Sequence, residues 1–167
     1  MEKSLVIVES PAKARTINRY LGSKYLVRAS MGHVCDLPKS KLGVDIENNF
    51  EPTYIILPKR RSLVKNLQRL AAECHEIFLA ADPDREGEAI CWHLSRLLEK
   101  FNPNIRRVLL YEITKKAVEE AFGQPGRLDE NKIKAQQTRR ILDRLMGYLI
   151  SPLLWEKIGH GLSAGRV

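Results

Sequence analysis

This sequence predicts an α/β sandwich around a mainly parallel sheet, on three observations. Short apolar runs such as Ser4-Leu5-Val6-Ile7-Val8 and Ile77-Phe78-Leu79-Ala80-Ala81 have the length and composition of buried strands. Other segments carry apolar residues at helical spacing, with one stripe at Leu63, Leu67 and Leu70 and another at Ile90, Leu94, Leu97, Leu98 and Phe101. The two kinds of segment alternate, as crossover connections of a parallel sheet require.

In chain order the pattern predicts strand 4–9, helix 11–21, strand 25–30, a loop over 32–50 and strand 53–57. Helix 60–74, strand 76–81, helix 85–101, strand 106–111 and helix 114–122 follow. The first helix has Ser10 placed as N-cap and Pro11 at its first position. Gly123-Gln124-Pro125-Gly126 is the strongest punctuation in the chain, so a domain boundary is expected there, dividing 1–125 from 126–167. Beyond it, Leu128 to Ile150 reads as one long helix ending before Pro152, with Ile133, Ile141, Leu145 and Leu149 on one side.

Composition narrows the partners. The chain has 167 residues, enough for one good core and part of a second unit. Its 28 Lys and Arg against 20 Asp and Glu leave a net charge of +8, which points to a polyanionic partner. Basic residues gather at Lys59-Arg60-Arg61, at Arg106-Arg107 and from Lys132 to Arg144. Cys35, Cys74 and Cys91 have no CxxC spacing, which argues against a disulfide framework or a zinc site and for a reducing interior. No apolar run is long enough to cross a membrane and no signal peptide is visible, so a cytoplasmic location is expected.

The chemistry concentrates where the strand before Asp82 breaks into Asp82-Pro83-Asp84-Arg85-Glu86-Gly87-Glu88, four carboxylates at alternate positions. Carboxylates this close repel one another unless a positive charge sits among them. An all-oxygen set favours magnesium or manganese over zinc. A calcium-binding helix-loop-helix fits poorly, because its twelfth position would be His93 rather than a bidentate Glu and the incoming segment is a strand. Glu9 also ends a predicted strand, so it converges with Asp82 and Asp84 if the two strands are neighbours. Lys13, in the first turn of the following helix, suits a phosphate held at that terminus, with a plain surface charge as an equal alternative.

Several ordered motifs resemble the amino-terminal part of bacterial type IA DNA topoisomerases. They are Val8-Glu9-Ser10-Pro11-Ala12-Lys13-Ala14, Ser30-Met31-Gly32-His33-Val34-Cys35-Asp36-Leu37-Pro38, the acidic stretch through Ile90, Tyr111-Glu112-Ile113-Thr114 and Gln136 to Leu145. Ser151-Pro152-Leu153-Leu154-Trp155 and Gly161 to Val167 continue the match. The acidic motif alone indicates only a TOPRIM module, which primases, type II topoisomerases and some nucleases share.

The resemblance implies a Rossmann-like TOPRIM sheet followed by the start of a helical domain. It also implies a reaction in which a tyrosine attacks one strand of negatively supercoiled DNA, forms a 5′-phosphotyrosine, lets the other strand pass and reseals without ATP. Glu9, Lys13 and Arg85 are then catalytic, with Glu9 moving the proton of the leaving 3′ oxygen. Glu9, Asp82, Asp84 and Glu86 hold magnesium, or manganese in its place. His33, Arg139, Arg140, Asp143, Tyr148, Trp155 and the run Ser163, Ala164, Gly165, Arg166 and Val167 contact single-stranded DNA. Arginines neutralise phosphates and aromatics offer stacking faces, which makes that groove physically sensible. For Tyr148, and for Trp155 beside Leu153 and Leu154, core packing is an equal alternative.

The family's nucleophile motif lies well downstream, and none of Tyr20, Tyr25, Tyr54, Tyr111 or Tyr148 belongs to it. An amino-terminal fragment of a larger, monomeric enzyme is therefore expected, inactive until the remainder of the polypeptide is supplied. Two other classes stay open on the sequence alone. A stand-alone TOPRIM nuclease or primase-like enzyme would act by itself, and a non-catalytic single-strand-binding module would not need the acids.

Overall fold

The computed structural model describes residues 3–161 and Ala164. Its strands are β1 Ser4–Val8, β2 Tyr25–Ala29, β3 Cys35–Asp36, β4 Val44–Asp45, β5 Glu51–Pro52, β6 Ile55–Ile56, β7 Glu76–Leu79 and β8 Ile105–Arg107. The α-helices are α1 Pro11–Leu21, α2 Arg61–Glu73, α3 Arg85–Leu98, α4 Lys115–Gly123, α5 Glu130–Leu145 and α6 Ser151–Lys157.

Four strands form one wholly parallel sheet in the order β2-β1-β7-β8. Because strand side chains alternate between faces, Leu5, Ile7, Ile77 and Leu79 enter one core with Leu67 of α2 and Leu94 of α3. Val6, Val8 and Phe78 enter the other core with Ile17 of α1 and Val118 and Phe122 of α4. The sheet is thus covered on both faces, which is why its strands read as continuous apolar runs.

The structure departs from the expected elements in three places. Residues 53–57 contribute only β6, which pairs antiparallel with β3 away from the main sheet, while β3 and β4 lie inside the expected loop over 32–50. Pro52 and Pro58 bracket this segment and shorten it, since proline cannot donate to a ladder. The last parallel strand stops at Arg107 rather than at residue 111.

The third departure concerns the helix expected to end before Pro152. It begins at Glu130, capped by Asp129, and widens into a π-helical turn over Met146–Ile150. The chain then continues through Pro152 in α6. A proline would clash with the carbonyl one turn back in a regular helix, and the wide turn removes that conflict. Ile133 is buried as expected, but Leu149 lies on the exposed side.

The expected boundary near residue 126 falls in a tightly held connection. Gly126 exchanges two backbone hydrogen bonds with Arg107, at 3.0 and 2.8 Å. Leu128 packs on the first core, and α5 lies along α3.

Candidate metal and nucleic-acid site

β1 and β7 are hydrogen-bonded neighbours in parallel register, with Ile7 opposite Leu79. Glu9 and Asp82 therefore leave the sheet at the same edge, the carboxyl ends where open α/β sheets bind ligands. Gly32 donates its N–H to the Glu9 carbonyl at 2.9 Å, which fixes the backbone there. Ser10 caps α1 by accepting from the Lys13 N–H at 3.3 Å, and Pro11 occupies the first turn. Lys13 is thereby turned back over the sheet edge, where its ammonium donates to both Glu9 Oε1 and Asp82 Oδ1. Burial works against that charge, but the hydrogen bonds to Asp82 and Glu9 outweigh it and raise the Lys13 pKa above the ordinary lysine value.

The remaining acids of the stretch part company. Asp84 caps α3, its Oδ1 accepting from the Gly87 N–H at 2.7 Å. Gly87 is required by close approach, because a Cβ there would stand 2.1 Å from the Asp82 carbonyl oxygen. Glu86 faces the other way, 3.3 Å from His33 Nε2, with Gln136 Nε2 donating to it at 3.3 Å and Arg139 at 4.0 Å. Glu88 is fully buried and paired with Arg107. Arg85 is exposed in the first turn of α3.

Beside Glu86 opens a cavity of about 480 Å³, lined by His33, Asp36, Tyr54, His93, Arg139 and Asp143 among others. His93 packs against Tyr54 with ring centres 4.5 Å apart. Burial, helped by nearby His33, pushes its pKa down to about 4. Burial pushes the Tyr54 phenol up to about 12, and its buried hydroxyl has no hydrogen-bond partner.

The residues expected to contact DNA fall into two groups. Arg139 lines the cavity and makes a long ion pair with Glu86 at 4.0 Å. Arg140 instead makes a bidentate pair with Asp36 at 2.9 and 2.6 Å, and that hydrogen bonding raises its pKa. Tyr148 donates its hydroxyl to the Lys39 carbonyl at 2.6 Å, with Arg144 over its ring at 5.3 Å. Arg140 thus ties β3 to α5 and Tyr148 ties the segment after β3 to the π-helical turn, a structural task in addition to any contact with DNA. Trp155 of α6 is partly exposed at 43%. Ala164 donates its N–H to Ser151 Oγ at 3.1 Å. Ser163, Gly165, Arg166 and Val167 lie outside the described residues.

The cluster of four acids around one ion is therefore not assembled. Among the described residues, no group of three or more His, Cys, Asp or Glu side chains gathers in metal-binding geometry. The acids take protein partners instead: Lys13 is shared by Glu9 and Asp82, Asp84 caps α3, Glu86 meets His33, Gln136 and Arg139, and Glu88 pairs with Arg107. Glu9 and Asp82 still fit a hard divalent cation. They converge on one cationic atom, and Glu9 Oε2 is buried with no hydrogen-bond partner among the described residues. Magnesium is commonly held by one or two carboxylates with phosphate oxygens and water completing its shell, and two carboxylates are what this edge presents.

The tertiary partners of Asp36, Lys132, Arg144 and Gln136 carry no signal in the sequence, and Arg107 reads there only as part of a basic cluster. In the fold Arg107 is 2% exposed, so it contributes nothing to an electrostatic patch. The signal that could have found it is alternation within β8, which sends Arg106 and Arg107 to opposite faces.

Comparison with known proteins fits this geometry. The Toprim domain model matches residues 4–113, which contain the whole parallel sheet and the acidic edge. Full-length topoisomerase I from Thermotoga maritima is 47% identical in sequence and superposes with a TM-score of 0.88. The match covers 96% of this chain and 27% of that one, so the chain spans about a quarter of its relative's length. With the four-stranded parallel sheet, helices α1 to α3 and the acids at the sheet edge all inside the matched residues, the chain belongs to the Toprim domain family.

Proposed function

We propose that this chain is the metal- and strand-handling part of a type IA DNA topoisomerase, a larger monomeric protein of the cytoplasm that relaxes negatively supercoiled DNA. The observation that carries this reading is the convergence of Glu9, Lys13 and Asp82 at one sheet edge, beside a cavity bearing Arg139 and His33. The likeness to a topoisomerase I over 96% of the chain supports it.

In this reading a phosphodiester lies across the sheet edge. Glu9 and Asp82, with Asp84 adjacent, would hold magnesium or manganese in its place, which would supply charge screening at the phosphate. Glu9 gives a proton to the departing 3′ oxygen and takes it back on resealing, a role that suits a carboxylate whose second oxygen is buried and unpartnered. Lys13 holds Glu9 in position and stands in the first turn of α1, where its ammonium can meet a phosphate at the helix N-terminus. His33 and Arg139 face the strand from the cavity, and Arg85 approaches its backbone from the exposed first turn of α3. The nucleophilic tyrosine comes from the remainder of the parent polypeptide, and covalent capture conserves the phosphodiester energy, so no ATP is needed.

The test mixes this chain with a separately produced remainder of the parent and assays magnesium-dependent relaxation. Activity should appear only in the mixture. Glu9→Gln should lower strand scission by roughly 10²–10⁴-fold while leaving the fold intact. Cleavage by this chain alone, without a protein–DNA adduct, would identify a stand-alone nuclease. Single-strand binding that ignores the loss of Glu9 and Asp82, with no relaxation in the mixture, would identify a binding module.

A further inference from the structure

Glu88 is the one acid of the stretch that faces away from solvent, and it connects two parts of the proposed site. Its Oε2 accepts from Arg107 Nε at 3.0 Å, and both side chains are only 1% exposed. Arg107 donates onward to the carbonyls of Leu79, Ala81, Val108 and, at 2.7 Å, Asp82. The other oxygen of Glu88 accepts from the Asp129 N–H at 2.8 Å, at the cap of α5. A second tie runs alongside, with Lys132 of α5 donating to the Pro83 carbonyl at 2.8 Å.

Two buried charges held in this way need every bond satisfied, since an unpaired one in a low dielectric is costly. A displacement of the Asp82 backbone is therefore not free to occur without Arg107, Glu88 and the start of α5 responding. The same helix carries Arg139 further along.

We propose that Glu88 is a positioning residue that couples the Asp82 loop to α5, so that a divalent cation at the acidic edge and single-stranded DNA on α5 favour each other's binding. This rests on the function proposed above. Such coupling is reciprocal, and each ligand must tighten the other by the same factor.

The experiment measures Mn²⁺ binding to this chain by titration, with and without a saturating short oligothymidine, and oligothymidine binding with and without saturating Mn²⁺. In the unaltered chain, each ligand should tighten the other by at least about fivefold. Glu88→Gln keeps size and removes the buried negative charge. It should bring the coupling factor toward one while each ligand alone binds within about twofold of normal. Lys132→Ala creates no buried unpaired charge and should lower the coupling in part, which keeps the test decisive if circular dichroism finds Glu88→Gln unfolded. Undiminished coupling in a folded Glu88→Gln variant and in Lys132→Ala would overturn the proposal, as would a factor of one in the unaltered chain. Failure of the unaltered chain to bind either ligand alone would instead refute the functional reading beneath it.

Discussion

Glu86 and Glu88 stand two residues apart on one helix, and each faces an arginine, yet the two pairs behave as different objects. Glu88 and Arg107 are each 1% exposed and joined at 3.0 Å, with the remaining Arg107 donors spent on four carbonyls. Glu86 is 44% exposed and Arg139 30%, and 4.0 Å separates them at a cavity wall. Water decides the contrast. A pair out of solvent is a rigid joint whose members cannot be removed singly, whereas a pair facing solvent is weak and free to exchange partners. The interior pair suits holding a backbone in place, and the cavity pair leaves Arg139 available for a phosphate.

The most forceful way to break this contrast is to truncate the interior acid. Glu88→Ala leaves Arg107 buried and unpaired, and should destabilise the chain by about 3–5 kcal/mol in urea or thermal unfolding. Glu86→Ala should change stability by about 0.5 kcal/mol or less. Equal losses would show that burial does not separate the two pairs.

Acid sharpens the comparison within the cavity. The folded pKa of buried His93, about 4, lies below its ordinary 6.5, so the unfolded chain takes the proton first. The contribution to stability is full above pH 6.5 and is lost as pH falls from there toward 4. The slope from this one group approaches about 1.4 kcal/mol per pH unit. His93→Gln cannot take that proton and should flatten the slope in that window, read from unfolding free energies at successive pH values. An unaltered slope would place the acid sensitivity elsewhere.

The smallest stability effect concerns two adjacent arginines. Arg140→Ala frees Asp36 and should cost at most about 1 kcal/mol, since the pair is partly solvated. Arg139→Ala should leave stability within about 0.5 kcal/mol. It should still lower the slope of log K against log salt for a single-stranded oligonucleotide, by about 0.7 for each phosphate no longer neutralised. If Arg140→Ala changes the salt slope and Arg139→Ala does not, the assignments of clamp and DNA-binding arginine are reversed.

Much of the fold was legible in the chain because a doubly covered sheet writes itself as apolar runs alternating with amphipathic segments. The runs at Leu5 and Ile77, the cap at Ser10 and the stripe on α3 needed only local periodicity and capping chemistry. The meeting of Glu9 with Asp82 followed from one further step, that β1 and β7 be neighbours. Where alternation was short or proline intervened, local pattern misled, as at residues 53–57 and at Pro152, because a two-residue strand and a π-helical turn leave no period to detect.

What the sequence by itself determined is which residue types stand at the ends of the strands, since local pattern and spacing carry that information. The tertiary structure alone decided which partner each acid takes. Asp84 went to a helix cap, Asp82 and Glu9 to Lys13, Glu86 to the cavity and Glu88 to an arginine that reads in the sequence as one of a basic cluster. Charge pairing depends on distance and on exclusion of water, and both arise only when segments far apart in sequence are packed together, as Glu88 is with Arg107 and Asp129.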